Sequence, residues 1–315
     1  MGDISHDFEA VTKAFSGFGV DEISLISTLG KWHHEERKSF RKGAPQFFTE
    51  DDRLFERWND GHIAQLQIEF LRFKNAMVLW TMHPWERDAR LLKEALTKGP
   101  ESYRLLIEVA CTRSSEELFG ARRAYHSLFD HSMEEDVAYH INGPERKLFV
   151  ALVSSYRYEG QRVNDATAKS EAKTLGAAIK NANKKKPIED EEVVRILATR
   201  SKLHLKAIFR HYKEMCGKNI DEDLEADLIL KDTVQCLCIP QTYFSKVLDA
   251  SVEASADENA KEALTRVIVT RADVDMKEIN EEHLSRYGYT LSDMLEDRAN
   301  GNFKDFLHAL VARGG

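Results

Sequence analysis

The side chains able to do covalent or metal chemistry are scattered along this chain. Its cysteines are Cys111, Cys216, Cys236 and Cys238, with no CxxC pair among them. A nucleophilic cysteine needs a base within hydrogen-bond reach and an oxyanion site. Cys111 with His126 or His140 is one such pairing, and nothing in the sequence establishes either requirement. The cysteines lie in apolar, helix-like stretches and read as buried, reduced thiols. His33 and His34 are adjacent, so on a helix their rings leave from different faces and make a poor metal pair. DRANG, Asp297 to Gly301, lacks the spacing of a phosphate-binding loop. Two segments carry denser chemistry. In AFSGFGVDE, Gly17 and Gly19 flank Phe18 ahead of Asp21 and Glu22; in NKKKP, Lys184, Lys185 and Lys186 are consecutive. Glycines tolerate the positive φ that turns loop carbonyls toward one point, although such a pair alone also reads as an ordinary turn.

The composition limits what can position these groups. Lys and Arg number 45 against 53 Asp and Glu, a net charge of −8, which argues against a general nucleic-acid binder. With 42% hydrophobic and 31% charged residues the chain is globular rather than disordered. Its 16 Gly and 6 Pro are few for an all-β chain, so helix is expected. No apolar run approaches the roughly 18 residues needed to cross a bilayer. The opening MGDISHDFEAV has acids and no apolar stretch, unlike a signal peptide, and His6 stands where a myristoylation motif wants Ser or Thr.

The chain repeats itself. Thr112-Arg113, Thr199-Arg200 and Thr270-Arg271 each follow an apolar segment, with Val109, Ile196 and Val267 three residues before the Thr. Leu118, Leu205 and Met276 come five residues after the Arg, and Tyr125, Tyr212 and His283 twelve after. These offsets follow the helical period, so each unit holds one helix before the pair and another after it. The Thr is placed to N-cap the second helix, with Glu116 in a capping-box position. A divergent copy, LISTLGKWHHEERKSFRKG, puts Lys31-Trp32 in the same slot, and the copies close on NAMVLW, RKLFVALV, VQCLCI and FKDFLHALV. Four units of roughly 70–85 residues fill the chain.

ACTRSSEEL, ARRAYHSLF, SMEEDVA, SSYRYEG, LTRVIVTRADVDM and WTMHPWERDA resemble the annexin family, in a divergent branch of its plant members. The resemblance implies an all-α fold of four annexin-type repeats, each of about five helices, arranged as a curved disc. The repeats would span 5–80, 85–158, 163–247 and 248–313. It also implies calcium-dependent docking on anionic phospholipid membranes. Calcium takes six to eight oxygens, and a loop of inward carbonyls with a bidentate acid leaves positions open for lipid phosphate. Such an ion lets an acidic protein meet an acidic surface.

By this resemblance the Ca2+ ligands of the first repeat are the carbonyls of Phe15, Gly17 and Gly19, with Glu69 as the acid. Glu69 stands one position out of register, after a segment, PQFFTEDDRLFERWNDGHI, longer than the family's. Val20 replaces the family's Thr; Val20 and Glu22 would hold an auxiliary ion, with Asp21 capping the following helix. Phe15 or Phe18 would reach the headgroup layer, Phe15 being equally a core residue. The second repeat reads LTKGPESY, with Pro100 in a glycine slot and His140 near the acid slot, and the third places Lys186 and Pro187 where Gly is expected. Neither should hold such an ion. Lys184, Lys185 and Lys186 would face the membrane, each adding about 1 kcal/mol toward an anionic surface, or form a solvated linker. In the fourth, Asp257, Glu258 and Asp297 make a degenerate site. Lys31 fills the slot of a first-repeat histidine proposed to give plant members a peroxidase activity, and Cys111 with Cys236 matches a pair suggested to be redox-responsive. No enzyme is expected.

The implied role is cytoplasmic, becoming peripherally membrane-associated as calcium rises in signalling or stress. Other annexins or cytoskeletal proteins are further partners, and nucleic acid is none. The alternative is an annexin-scaffold interaction protein with a largely lost calcium switch, binding lipids or proteins electrostatically.

Overall fold

The computed structural model describes residues 4–50, 55–154 and 156–314; Gly2, the glycine of the myristoylation slot, lies outside them. The described residues form nineteen α-helices and one short hairpin. Helices α1 (Ile4–Ala14), α2 (Glu22–Leu29), α3 (His34–Gly43) and α4 (Asp60–Thr81) make the first group. α5 (Pro84–Lys98), α6 (Arg104–Thr112), α7 (Ser115–Phe129), α8 (Met133–His140) and α9 (Arg146–Ser154) follow. Next come α10 (Asp165–Lys180), α11 (Glu191–Thr199), α12 (Lys202–Cys216), α13 (Ile220–Asp223) and α14 (Leu228–Cys238). The last are α15 (Pro240–Ser251), α16 (Glu258–Arg271), α17 (Met276–Tyr287), α18 (Leu291–Arg298) and α19 (Gly301–Val311). The all-α expectation holds, with one local exception. In the first group, strands β1 (Phe48–Glu50) and β2 (Glu56–Trp58) pair antiparallel, Phe48 opposite Trp58. The long first-repeat segment thus becomes a hairpin that adds aromatic rings to a core.

The chain divides into two compact units, one of Met1–Thr81 with Ser245–Gly315, the other of Met82–Phe244. In the first unit Phe8, Phe15, Trp32, Phe40, Phe47, Phe48 and Trp58 form one aromatic cluster. Its rings meet mostly edge to face, as at Phe15–Phe47, 5.6 Å between centroids. In the second unit Leu106, Ile107, Tyr125, Leu148, Phe149, Leu205, Ile208 and Tyr212 are almost fully buried.

The repeated Thr-Arg pairs have a different task from the one expected. α7 is capped by Ser114, whose hydroxyl accepts from Glu117 N–H at 3.2 Å, and α12 by Ser201, which accepts from His204 N–H at 3.1 Å. Thr112 and Thr199 end the preceding helices, donating to the carbonyls of Glu108 at 2.5 Å and Arg195 at 2.7 Å. A hydroxyl turned back one turn points away from the N–H groups of the following helix that a cap must accept from. Ion pairing is what repeats: Arg113 binds Asp88 at 2.6 and 2.8 Å, Arg200 binds Glu171 at 2.6 Å, and Arg271 binds Asp275 at 2.7 Å. Bidentate guanidinium–carboxylate contacts fix helix orientation as well as charge.

His283, the twelfth-position residue of the last repeat, is fully buried between Tyr287 and Tyr289, each 4.9 Å away, and among the described residues neither ring nitrogen has a hydrogen-bond partner. Burial pushes its pKa below the ordinary 6.5, against a smaller upward pull from Asp249. The unfolded chain therefore binds the proton first. This residue's stability contribution is complete above about pH 6.5 and is lost as pH falls below it. His283→Phe keeps the ring contacts and removes the unsatisfied nitrogens. It is expected to raise stability by about 1 kcal/mol at neutral pH and to flatten this acid step in denaturant titrations.

Candidate calcium site

α1 stops at Ala14 because the chain turns through two left-handed glycines, Gly17 at φ 80° and Gly19 at φ 75°. Asp21 then starts α2, accepting from Ser24 N–H at 3.0 Å and Ser24 Oγ–H at 2.6 Å. Those bonds hold its carboxyl below the usual range. The loop is seated on the segment preceding α19. Phe18 N–H donates to the Arg298 carbonyl at 2.9 Å, Asn300 N–H donates to the Phe18 carbonyl at 2.8 Å, and the Asn300 side chain donates to the Ser16 carbonyl. A side chain at either glycine would collide: a Cβ on Gly17 would stand 2.6 Å from the Arg298 oxygen, and one on Gly19 2.9 Å from Phe303 Cβ. Backbone approach and positive φ both require glycine here.

The loop's carbonyls alternate. Those of Ser16 and Phe18 are taken by Asn300. Among the described residues nothing donates to those of Phe15, Gly17 and Gly19, which are the three expected ligands. Hard cations favour such oxygens.

Glu69 stands on α4, 5% exposed, beside the same loop. Its Oε2 accepts from Gly19 N–H at 2.8 Å and its Oε1 from Gln65 Nε2 at 2.7 Å. Arg72, one turn on, donates to both oxygens, Nε to Oε2 at 2.5 Å and Nη2 to Oε1 at 2.9 Å. The same Nη2 donates to Glu258 Oε1 at 2.8 Å. Arg72 is itself 5% exposed and lies over the Phe18 ring, 5.0 Å from its centroid. Burial pulls its pKa down, and the two carboxylates outweigh that and keep it charged. The loop thus fits a calcium ion on its carbonyl side, while the carboxylate that would complete the set is held by a guanidinium. Sequence reasoning missed Arg72, although its spacing from Glu69 on a helix was the available signal.

Other expected site residues are placed differently. Phe18 is 8% exposed beneath Arg72, and Phe15 packs against Phe47 and Trp58, so neither ring stands at an apex. Packing against Arg72 and the aromatic cluster claims them. Glu22 accepts from Asn302 Nδ2 at 3.3 Å, and Val20 is 2% exposed. The fourth-repeat set is dispersed. Asp257 caps α16, accepting from Ala260 N–H at 2.8 Å; Glu258 is on Arg72, and Asp297 pairs with Arg298 at 2.9 Å. Among the described residues no three His, Cys, Asp or Glu side chains are grouped to hold a metal. In the second repeat, the Tyr103 hydroxyl donates to the His140 carbonyl at 3.1 Å, and Pro100 opens a short 3-10 turn. Lys184, Lys185 and Lys186 are exposed ahead of a second such turn, Pro187–Glu189, with Lys185 Nζ 3.8 Å from Asp190. Cys111 is buried and its thiol is pushed up to about 11 by that burial, while His126 is exposed. Cys238 is pushed up to about 12 by the same cause. Thiols held neutral in this way are poor nucleophiles.

The family model described as Annexin matches residues 87–152, 171–229 and 243–310. The chain belongs to the annexin family. Plant annexins are among its curated relatives: it is 51% identical to Annexin D4 of Arabidopsis thaliana over 313 residues, covering 98% of each chain. It is 40% identical to Annexin Gh1 of Gossypium hirsutum over 315 residues, covering 98% of this chain and 95% of that one. In fold it is similar to solved annexin III, with a TM-score of 0.69 at 24% identity over 100% of this chain and 95% of that one. It is also similar to calcium-bound annexin (Sm)1, with a TM-score of 0.65 at 19% identity over 98% and 90%. Membership supports calcium-dependent phospholipid binding in general terms. Among this annexin's described residues, no helix is long and apolar enough to cross a membrane.

Proposed function

We propose that this annexin docks peripherally on anionic phospholipid at the cytoplasmic face of membranes when calcium rises, in signalling or stress, through the loop of its first repeat. The observation that carries this reading is the alternation of loop carbonyls: among the described residues nothing donates to Phe15, Gly17 and Gly19, while Ser16 and Phe18 are engaged. Bound there, Ca2+ would supply a positive centre shared between protein oxygens and lipid phosphate. The chain's part is to hold the carbonyls by seating the loop on Asn300, and to present the Glu69 carboxylate through the Gly19 N–H. Glu22 stands at the start of α2 for an auxiliary ion. Lys184, Lys185 and Lys186 would add metal-independent attraction, screened by salt. The repeats run 5–80, 85–158, 163–247 and 248–313 on this reading. Other annexins or cytoskeletal proteins are partners it leaves open to test.

A second reading is favoured by one observation. Arg72 already neutralises Glu69, as it would in an annexin whose calcium switch is lost and whose binding is electrostatic. Sedimentation with phosphatidylserine vesicles separates the two. The first reading expects pelleting with calcium that reverses on adding chelator. Pelleting that ignores chelator and collapses in salt would replace it with the second.

A further inference from the structure

Two acids singled out for different repeats, Glu69 on α4 and Glu258 at the start of α16, meet on a single guanidinium. Nη2 of Arg72 lies 2.9 Å from Glu69 Oε1 and 2.8 Å from Glu258 Oε1, while its Nε lies 2.5 Å from Glu69 Oε2. The Arg72 side chain is 5% exposed, Glu69 6% and Glu258 37%. One positive charge therefore sits between two carboxylates in a largely water-excluded place, beside the loop proposed to bind calcium. A guanidinium so placed makes the contacts that a cation would otherwise make with Glu69, and its planar fork occupies both oxygens of that carboxylate.

We infer that Arg72 is the resident cation of the first loop: it competes with calcium for Glu69 and reports the exchange to the fourth-repeat loop through Glu258. This rests on the proposed calcium loop and adds to it the residue that sets its affinity. A carboxylate cannot give both oxygens to a metal while two guanidinium nitrogens hold them. When Glu69 turns to an ion, Arg72 is left buried with the Phe18 ring beneath it and Glu258 as its remaining carboxylate. A buried charge must keep a partner, so the bond to Glu258 strengthens as the bond to Glu69 is given up. Calcium loading at residues 15–19 is thereby felt at the first turn of α16. Glu258 acts here as a counter-charge for the displaced guanidinium, where the sequence alone suggested a degenerate metal ligand.

The test is calcium titration of the full chain by calorimetry, with the calcium-free melting temperature as an independent readout. Arg72→Gln is expected to bind calcium about tenfold more tightly or better, the scale of ordinary linkage between exchanging partners, and to melt lower without calcium. Glu258→Gln should weaken binding several-fold in the wild-type background and change nothing when added to Arg72→Gln, because its effect passes through the guanidinium. Hydrogen exchange of residues 256–262 should slow on calcium addition in the wild type and stay unchanged in Arg72→Gln. A folded Arg72→Gln with wild-type or weaker affinity would overturn the inference. Should that variant fail to fold, Glu258→Gln with unchanged affinity would overturn it equally. The two readings fail in distinguishable ways. Wild type and Arg72→Gln both blind to millimolar calcium would remove the loop as a site, and this inference with it. Calcium binding by the wild type that is indifferent to Arg72 would remove the inference alone. Binding seen only in Arg72→Gln would uphold it and favour the electrostatic reading of the native protein.

Discussion

Glu69→Gln is expected to abolish calcium-dependent sedimentation with phosphatidylserine vesicles at calcium concentrations that saturate the wild type. An amide offers calcium one neutral oxygen in place of a bidentate charged pair, and calcium sites tune their affinity largely through ligand charge. The same substitution reaches the calcium-free protein. The 2.5 and 2.9 Å contacts with Arg72 lose their charge, so about 3 kcal/mol of stability should go, the low end for a buried pair because Glu258 stays on the guanidinium. Chemical denaturation in chelator measures that loss. The sign is informative beside Arg72→Gln: cutting the ion pair from the carboxylate end should weaken calcium binding, and cutting it from the guanidinium end should strengthen it. A structural pair with no part in calcium binding would give neither effect.

The second large effect is expected at Glu171, 6% exposed on α10. Its carboxylate receives Arg200 at 2.6 and 3.0 Å and Arg195 at 2.9 Å, and Nε2 of His204 lies 3.0 Å away. Burial pushes its pKa up, and the bonds from Arg200, Arg195 and His204 outweigh it, leaving the pKa below the ordinary 4.5. A depressed carboxylate contributes stability above about pH 4.5, lost as pH falls through its folded-state value. Glu171→Ala strands His204 and the Arg200 head, while Arg195 keeps Glu192 at 2.9 Å. The expected cost is about 3–5 kcal/mol, on the order of a 10 °C fall in melting temperature. The variant should also lose part of the wild type's acid sensitivity between about pH 5 and 3.

The helical repeats were legible because burial imposes a period on side chains, and that period survives wherever each unit buries the same face. Leu118, Leu205 and Met276 share an offset and are all buried. Capping was misread for a local reason: Thr112 and Ser114 are both good caps, and only the helix's actual end decides between them. The glycine loop was visible as Gly17 and Gly19, since left-handed backbone leaves a mark on residue type. What the loop rests on was not. Asn300 and Arg298 lie far along the chain, and no local pattern says that they meet Phe18. The hairpin was hidden for a similar reason, since Phe48 and Trp58 pair across residues whose composition has no strand alternation. Arg72 was passed over because an arginine three residues from a glutamate is usually an exposed helix pair worth a few tenths of a kcal/mol. Only its burial and the arrival of Glu258 give it a larger role.

The makeup of the first unit, Met1–Thr81 with Ser245–Gly315, has a consequence during synthesis. Residues 82–244 form a unit that is continuous in sequence, so its parts leave the ribosome one after another. Residues up to Thr81 emerge earlier yet must wait for the strand of chain that carries Asn300 and Phe303, a delay on the order of tens of seconds at ordinary translation rates. Through that interval Phe15, Gly17 and Gly19 have nothing to sit on. The two parts of that unit are thus separated in synthesis by the whole of the other unit, and the loop proposed to bind calcium gains its seat only after Arg298, Asn300 and Phe303 have been made.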